Sequence, residues 1–582
     1  MPAIYVALVV LAMFAVAYLT YSKYLATKVF ALDDSRPTPA HTMTDGVDFV
    51  PTNKHVLFGH HFTSVAGAAP IVGPAIAVFW GWGPALAWII LGTIFAAGVH
   101  DFGSLVVSVR HRAKNIGTLA GEVISRRGRT LFLVIIFFLL TLVNAVFAVV
   151  IGNLLTDNPG AVIPIFVEIP LAIGIGQYIY RKKTAALIPS ILGVIGLYLL
   201  ILVGQAYPVD ITPIAQALGM EQTRNLWVII MFAYTFVAAR IPVWMLLQPR
   251  DYINSHQLFI ALFVILVGIA VGGNRIVAPL VNDVPEGSPS VVPFLFITIA
   301  CGAISGFHSL VSSGTTSKQL DKESDARHVG YVGALGEGSL ALGSVLAVTA
   351  GVVATQVEWR ELYPDFATAS GGATGNFVNG IAAFANNLGI PLDLAVIFGA
   401  VVVISFAATT MDTGVRLQRY IVQEIAELAG FRLVARNLTV AGAIAVGVPL
   451  SLALLPGGGD RGYTFGVLWQ LFGTTNQLTA GLALTVIAMW VLRRGRNPVA
   501  VLVPLAFVLV MTMWALVVNL RNFVAAGEWV LAGLDAVIAV LALWLVVEAA
   551  AAIRGAMEDR RRGTDDERVE VGEALGSGER RT

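Results

Sequence analysis

Residues 57–74 read LFGHHFTSVAGAAPIVGP and begin a membrane-length apolar run that holds two prolines and three glycines. A proline removes a backbone donor and disturbs the preceding helical turn, so in a bilayer the freed carbonyl groups need partners from protein, water or ligand. In many secondary transporters, substrate and coupling ion bind at mid-membrane between the ends of such broken helices. This stretch therefore predicts a transporter whose second span is discontinuous.

The composition is that of a protein with many membrane spans. Of 582 residues, 57% are hydrophobic and 13% are charged, and the mean hydropathy is +0.79. The net charge of +1 gives no indication of nucleic-acid binding. The sequence lacks zinc-ligand spacing, a phosphate-binding glycine loop and a nucleophile–base arrangement, so no enzyme, cofactor or bound metal is predicted. The single cysteine, Cys301, excludes an internal disulfide and is interpreted as a small buried hydrophobic residue.

Apolar runs of about 17–25 residues predict an all-α, polytopic membrane protein with about fifteen transmembrane helices. The predicted spans are 4–22, 64–80, 84–108, 131–152, 161–179, 184–203, 226–247, 257–273, 291–310, 331–354, 390–412, 437–455, 464–490, 499–518 and 529–552. Residues 356–389, between the tenth and eleventh spans, are half apolar and fit either a surface helix or a re-entrant loop.

The distribution of basic residues orients these spans. With the N-terminus outside, 31 of the 37 Lys and Arg residues fall in predicted cytoplasmic segments, five fall outside, and Arg240 lies within a span. We therefore predict a protein of the bacterial cytoplasmic (inner) membrane with its N-terminus outside and its C-terminus in the cytoplasm. The first run is interpreted as a retained span, with a cleaved leader as the alternative. Residues 554–582 are predicted to form a disordered cytoplasmic tail.

The seventh predicted span is interrupted as well. Residues 232–244 read FAYTFVAARIPVW, and this span crosses in the opposite direction to the second one, five spans earlier. Such spacing is expected of two five-helix repeats of inverted topology, each of which starts on a discontinuous helix. The alternative is that two proline kinks are spaced in this way by accident.

Four long motifs carry a family resemblance: residues 53–62 (NKHVLFGHHF), 66–74 (AGAAPIVGP), 242–252 (PVWMLLQPRDY) and the serine-rich segment 302–316. They resemble the carbon starvation protein A (CstA) family of inner-membrane transporters. The resemblance implies proton-coupled symport of peptides, or of pyruvate in some members, with induction when carbon is scarce. It also implies a core like that of the amino acid–polyamine–organocation (LeuT-like) transporters, in agreement with a five-plus-five inverted repeat.

The function predicted on this basis is proton-coupled uptake of small peptides under carbon starvation. A pyruvate or monocarboxylate–proton symporter is the first alternative, and a membrane nutrient sensor or channel is the second. The expected partners are a small peptide or pyruvate, a proton or else sodium, and the lipid bilayer. The chain would divide into an N-terminal span and linker (1–63), the transporter core (64–412), flanking spans (413–553) and the tail (554–582).

Candidate substrate-binding residues lie at the two interruptions. In the second span, Gly67, Ala69, Pro70 and Gly73 would let backbone approach a ligand, although small residues also serve close helix packing. In the seventh span, Arg240 precedes Pro242, and a charge inside a span needs a partner. A substrate carboxylate would fit its guanidinium, and a fixed ion pair with Glu168 or Glu337 is the alternative.

Candidate gating residues stand at the cytoplasmic entry of the second span. They are His60, His61 and Ser64. Histidine titrates near neutral pH, so gating or proton handling is one interpretation. The alternative is an interfacial anchor or a group that hydrogen-bonds the start of the helix.

The end of the ninth span concentrates hydroxyl groups around a histidine. The candidates for coupling-ion binding are His308, Ser309, Ser312, Ser313 and Thr316. Hydroxyl and carbonyl oxygens suit a hard cation such as sodium, whereas His308 would carry a proton. A Ser/Thr-rich helix end that caps itself is the alternative.

Four carboxylates lie in or near predicted spans. Glu337 follows a ladder of small residues that permits close helix contact, and an acid there is expected to be protonated or paired. It is the first candidate for proton coupling, followed by Asp101 and Glu168. Asp412 has Arg416 four residues further on and is interpreted as one member of a helix-end ion pair.

Overall fold

The computed structural model describes residues 1–46, 48–124, 126–182, 184–242, 244–455 and 466–561. Within these ranges the chain is helical and contains no strand. Eleven helices there are long and apolar enough to cross a membrane, and twelve spans result when the bent pair Lys54–Ala66 and Ala69–Trp80 counts as one. Two more apolar helices are shorter. The prediction of an all-α, multi-pass membrane protein is confirmed.

We number the main helices α1 to α18. They are α1 (Ala3–Val29), α2 (Lys54–Ala66), α3 (Ala69–Ala77), α4 (Trp82–Arg110), α5 (Arg126–Asp157), α6 (Val162–Lys182), α7 (Leu187–Ala206), α8 (Thr223–Ala238), α9 (Leu247–Gly272), α10 (Val291–Thr298), α11 (Gly306–Gly314), α12 (Arg327–Gly351), α13 (Phe366–Asn387), α14 (Leu392–Leu428), α15 (Leu438–Ala453), α16 (Gly466–Arg493), α17 (Val499–Ala525) and α18 (Trp529–Arg561). Each predicted span overlaps one of these helices, except that the second and ninth spans overlap two and the seventh span also includes Leu247, the first residue of α9.

Four helices form the interior and others face outward. Helices α5, α12, α14 and α16 are largely enclosed, and α14 packs along the length of α5. By contrast, α1, α7 and α18 expose large apolar side chains such as Leu8, Ile188 and Val540. An apolar outer surface is expected where lipid is the solvent.

Segments that share a predicted side of the membrane contact one another in the structure. The backbone N–H of Thr52 donates to the carbonyl of Gln319 at 3.0 Å, within the predicted cytoplasmic set. On the other predicted side, the N–H of Ile276 donates to the carbonyl of Met1 at 2.9 Å, within the predicted external set. These contacts agree with the predicted alternation of the spans.

The sequence of residues 356–389 fits either a surface helix or a re-entrant loop. In the structure, these residues form a short helix (Gln356–Leu362) and then α13. Helix α13 packs against α3, α9 and α14, and its side chains Phe377 and Ile381 are fully buried. The segment is therefore an integral part of the helix bundle and does not lie along its surface.

The interruption predicted within the seventh span is a connection between two helices. Helix α8 ends at Ala238 and α9 begins at Leu247. Pro249 is tolerated in the first turn of α9 because the N–H groups of that turn have no acceptor within the helix. The prediction of a discontinuous seventh span is wrong, and the five-span spacing no longer supports a repeat.

Candidate functional site

The second and ninth spans are both broken, and the two breaks pack against each other. Helices α2 and α3 meet at a 48° bend. The bend lies at Gly67, whose φ of +49° is in the left-handed region that favours glycine. Residues 299–305 separate α10 from α11, and a β-carbon at Gly73 would overlap the carbonyl oxygen of Thr298. A glycine is therefore required where the second span meets the ninth.

The other predicted substrate-binding residues of this span take part in the same packing. Ala69 and Pro70 are buried, and a β-carbon at Gly302 in the opposite break would lie 3.5 Å from Pro70. A β-carbon at Gly67 would approach the hydroxyl of Thr410 to 2.7 Å. None of Gly67, Ala69, Pro70 and Gly73 lines the two cavities described below. A substrate contact by these residues stays a prediction.

Two neighbouring amides on α16 satisfy the backbone of the ninth span. The Asn476 Oδ1 atom accepts a hydrogen bond from the N–H of Phe307 at 3.1 Å, and the Gln477 Nε2 atom donates to the carbonyl of Phe296 at 2.6 Å. Backbone groups freed by a break need such partners in a membrane. Sequence reasoning missed both amides, although a polar pair in the middle of an uncharged apolar run was a usable signal.

Three predicted coupling residues come together beside the break. His308 of α11 lies with its Nδ1 atom 2.8 Å from Oδ2 of Asp101 on α4 and its Nε2 atom 3.2 Å from Oε1 of Glu337 on α12. On the far side, His100 Nδ1 lies 2.7 Å from Oδ1 of Asp101. All four residues are fully buried. We call this group the histidine cluster; its two imidazoles and two carboxyl groups are all side chains that can bind a proton.

The predicted gating residues separate into two environments. His60 Nδ1 lies 3.1 Å from Oδ2 of Asp251, and the Ser64 hydroxyl donates to the same oxygen at 3.3 Å. His61 points elsewhere, with Nδ1 2.9 Å from the hydroxyl of Thr316 at the end of the ninth span. The second span is thus tied to α9 on one side and to the ninth span on the other, while gating itself stays a prediction.

A polar cavity of about 390 Å³ reaches His60, Ser64 and Asp251 from the end of the molecule that the basic residues mark as cytoplasmic. Its wall includes the last residues of α11, among them Ser313 and Gly314. Charges of both signs line it, namely Lys114, Lys318, Arg416, Asp48, Asp251 and Glu424. The cavity therefore offers partners to a ligand that carries both an ammonium and a carboxylate.

A second buried charge cluster, the arginine cluster, was missed. Arg250 of α9 lies with Nη1 2.6 Å from Oδ2 of Asp412 and Nε 3.4 Å from Oε1 of Glu168. The Tyr234 hydroxyl donates to Asp412 at 2.8 Å, and that of Ser405 donates to Glu168 at 3.2 Å. The signal was present in the motif at 242–252, but the basic-residue count placed Arg250 in a loop.

Two predicted residues of the seventh span lie outside these clusters. Arg240 follows the end of α8, is exposed, and stacks over the ring of Phe236 at 4.0 Å. Pro242 is exposed as well. The prediction that Arg240 lies buried within a span is wrong, because the helix ends before it. Its predicted ion-pair partners, Glu168 and Glu337, both contact other side chains.

The predicted pairing of Asp412 with Arg416 is also wrong. Asp412 contacts Arg250, whereas the Arg416 guanidinium donates to the carbonyls of Ala238 and Ile241 at 3.0 and 2.5 Å. Both carbonyls lie at or just beyond the end of α8 at Ala238, and that of Ala238 also accepts the N–H of Ile241 at 3.2 Å. Arg416 therefore caps α8 and also lines the polar cavity.

The hydroxyl groups of α11 mostly serve the helix itself. Ser309 donates to the carbonyl of Gly306 at 2.7 Å, and Ser313 donates to that of Ser309 at 2.6 Å. Among the described residues, the Ser312 hydroxyl is buried without a hydrogen-bond partner. The arrangement agrees with a helix end that caps itself, and binding of sodium here stays a prediction.

A family model described as "Carbon starvation protein CstA" matches residues 2–362 and 355–515. The chain belongs to the CstA family. Among its relatives is the peptide transporter CstA of Bacillus subtilis, with 32% identity over 94% of this chain and 96% of the relative. The peptide transporter CstA of Campylobacter jejuni is 32% identical over 88% of this chain and 79% of its own length. A family relative in Escherichia coli, the pyruvate/proton symporter BtsT, is 30% identical over 88% and 81%.

Solved structures are similar to this chain at low identity. MhsT in complex with L-phenylalanine gives a TM-score of 0.45 at 13% identity, over 86% of this chain and 99% of the other. The manganese transporter of Eremococcus coleocola gives a TM-score of 0.41 at 13% identity, over 88% and 99%.

Proposed function

We propose that the protein is a proton-coupled symporter that takes up small peptides across the bacterial cytoplasmic membrane when carbon is scarce. Membership of the CstA family and relatives named as peptide transporters support transport rather than catalysis. The observation that carries proton coupling is the histidine cluster, in which Asp101, His308 and Glu337 lie within hydrogen-bonding distance beside two broken helices.

The proposed coupling uses the ninth span as its moving part. His308 stands on α11, and Leu310, Val311, Ser313 and Gly314 of the same helix line the polar cavity. A change in the charge of the histidine cluster therefore acts on a helix that a bound substrate would touch. Rocking of the broken spans would then expose the site alternately to the two sides.

The charges of the polar cavity favour a peptide over pyruvate as the substrate. A peptide carries an ammonium and a carboxylate at its two ends, and the cavity presents basic residues such as Lys318 and Arg416 together with acids such as Asp251 and Glu424. Pyruvate, the second candidate, needs only a cation. It is retained because the relative BtsT is named a pyruvate/proton symporter.

The proposed threading has fifteen crossings, with the N-terminus outside and the C-terminus inside. It adds to the long helices the bent pair α2–α3, the shorter α8 and α15, and the broken pair α10–α11. An inverted-repeat core within residues 64–412 stays a prediction. Residues 413–553 would flank this core, and the proposed tail falls mostly outside the described residues.

The test is uptake by the purified protein in proteoliposomes with an acidic exterior. We expect labelled Ala-Ala and Ala-Ala-Ala to accumulate above equilibrium and a protonophore to abolish this accumulation. Protein-free liposomes are the control. Accumulation of pyruvate without peptide would replace the first candidate by the second, and the absence of gradient-driven uptake of either would overturn the proposal.

A further inference from the structure

A second cavity, of about 350 Å³, lies beside the polar cavity. It is bounded by the end of α6, the start of α7, the start of α9, the first turns of α2 and the segment before α2. Its wall is dominated by Val56, Ile175, Ile179, Tyr180, Trp244 and Tyr252, and we call it the apolar cavity.

The lining of the apolar cavity differs in chemistry from that of its neighbour. The rings of Tyr180 and Trp244 stack with centroids 4.3 Å apart. Among the described residues that line it, none is a lysine or arginine, and Asp48 and His60 are the only acid and histidine. Such a lining suits an uncharged, bulky group, and Asp48 and His60 stand where this cavity adjoins the polar one.

The two cavities adjoin one another. Asp48, His60, Gln248 and Gln319 line both of them, and these four polar side chains stand at the boundary. A ligand whose charged ends occupy the polar cavity would therefore be able to direct a side group into the apolar one. This continuity distinguishes the apolar cavity from an isolated groove.

We propose that the apolar cavity is a side-chain subsite, and that the preferred substrates are peptides with a large hydrophobic or aromatic residue. This inference rests on the proposed function, because it takes the polar cavity as the place of the peptide backbone and termini. The aromatic side chain would stack beside Trp244 and Tyr180, and the peptide would bend past His60. Pyruvate has no group that would occupy this space.

The test is competition for gradient-driven uptake in proteoliposomes by the dipeptides Ala-Ala, Ala-Leu, Ala-Phe and Ala-Trp, which share the same charges. Wild-type protein is expected to bind Ala-Phe and Ala-Trp about tenfold more tightly than Ala-Ala. Ala186 lines the cavity, so Ala186→Phe should fill it and remove this preference while uptake of Ala-Ala persists. Ala185→Phe is the matched control, because the neighbouring Ala185 is exposed and lies outside the lining.

A second variant and a second measurement keep the test decisive if Ala186→Phe folds poorly. Trp244→Ala removes one stacking ring and should also lower the preference for Ala-Phe over Ala-Ala. If both variants take up peptides with unchanged selectivity, the subsite is wrong while the proposed function stands. If wild-type protein takes up no peptide, both fail. Loss of co-purifying phospholipid from Ala186→Phe, with selectivity unchanged, would identify a lipid chain as the occupant and overturn the subsite.

Discussion

The histidine cluster and the arginine cluster are built to a similar plan with one decisive difference. Each places two buried acids around one base: Asp101 and Glu337 around His308, and Glu168 and Asp412 around Arg250. Arginine keeps its charge at every physiological pH, whereas histidine gains and loses a proton near neutrality. The first cluster is therefore able to change its number of protons, and the second is a fixed cross-link between α6, α9 and α14.

The hydrogen-bond partners reinforce this contrast. In the arginine cluster, Ser405 and Tyr234 donate to the two acids. In the histidine cluster, Glu337 lies 3.2 Å from His308, and no hydroxyl among the described residues donates to it. Glu337 thus lacks the arginine and hydroxyl donors that hold both acids of the arginine cluster.

The largest expected effect is that of Arg250→Gln on stability. The substitution leaves Glu168 and Asp412 buried without a cation, which typically costs about 3–5 kcal/mol. We expect a large fall in the thermal unfolding temperature of the detergent-solubilised protein, or loss of folded protein. The triple variant Arg250→Gln, Glu168→Gln, Asp412→Asn should recover most of the stability, because no unpaired charge remains.

Arg240→Gln provides the matched control for that experiment. Arg240 is exposed and stacks on Phe236, so its loss should change the stability by no more than about 0.5 kcal/mol. If Arg250→Gln and Arg240→Gln lower the stability equally, the buried ion pairs of Arg250 do not stabilise the protein more than an exposed arginine does. The arginine cluster would then not be a fixed cross-link.

The second prediction concerns coupling and applies to Glu337→Gln. Glutamine keeps the size of the side chain but binds no proton, so gradient-driven accumulation should fall to the level measured without a gradient. Exchange of labelled for unlabelled peptide, which needs no net proton movement, should persist. Both are measured in proteoliposomes, with Glu361→Gln, an exposed acid, as the control. Full accumulation by Glu337→Gln would make Glu337 a packing residue and leave Asp101 and His308 as candidates.

The third prediction concerns the amide that positions the histidine. Asn476 accepts from the N–H of Phe307, adjacent to His308, and donates to Ser305 and Cys301. Asn476→Ala leaves these groups unpaired in the interior and should cost about 1–3 kcal/mol. Thermal unfolding measures the cost, with Thr485→Ala on the same helix as control, because that hydroxyl bonds only to its own helix. A stability equal to that of the control would argue against a role for Asn476 at the break.

The sequence predicts the spans well because the bilayer imposes one requirement on all of them. Each apolar run must satisfy its own backbone, so hydropathy and length are sufficient to locate the helices. The break of the second span was predictable for the same reason, since Pro70 and Gly73 interrupt such a run. The break of the ninth span was not predictable, because that span carries no proline between residues 299 and 305.

The site was predictable as single residues and not as clusters. Asp101, His308 and Glu337 stand out because an ionisable group inside a span is expensive, yet their contacts join α4, α11 and α12 across more than 200 positions of sequence. Arg250 was missed because a charge at the end of an apolar run looks the same whether it faces water or a buried acid. Only the packing of α9 against α6 and α14 distinguishes the two cases.

The smallest expected effect distinguishes protons from sodium through two serines of α11. The Ser309 hydroxyl donates to the carbonyl of Gly306, whereas the Ser312 hydroxyl has no hydrogen-bond partner among the described residues. If the histidine cluster carries the coupling ion, Ser309→Ala and Ser312→Ala should each change uptake by less than about twofold, and replacing sodium by choline should have no effect. A sodium site would predict another pattern: uptake would require sodium, and Ser312→Ala, which removes the free hydroxyl, would raise the sodium concentration needed more than Ser309→Ala does.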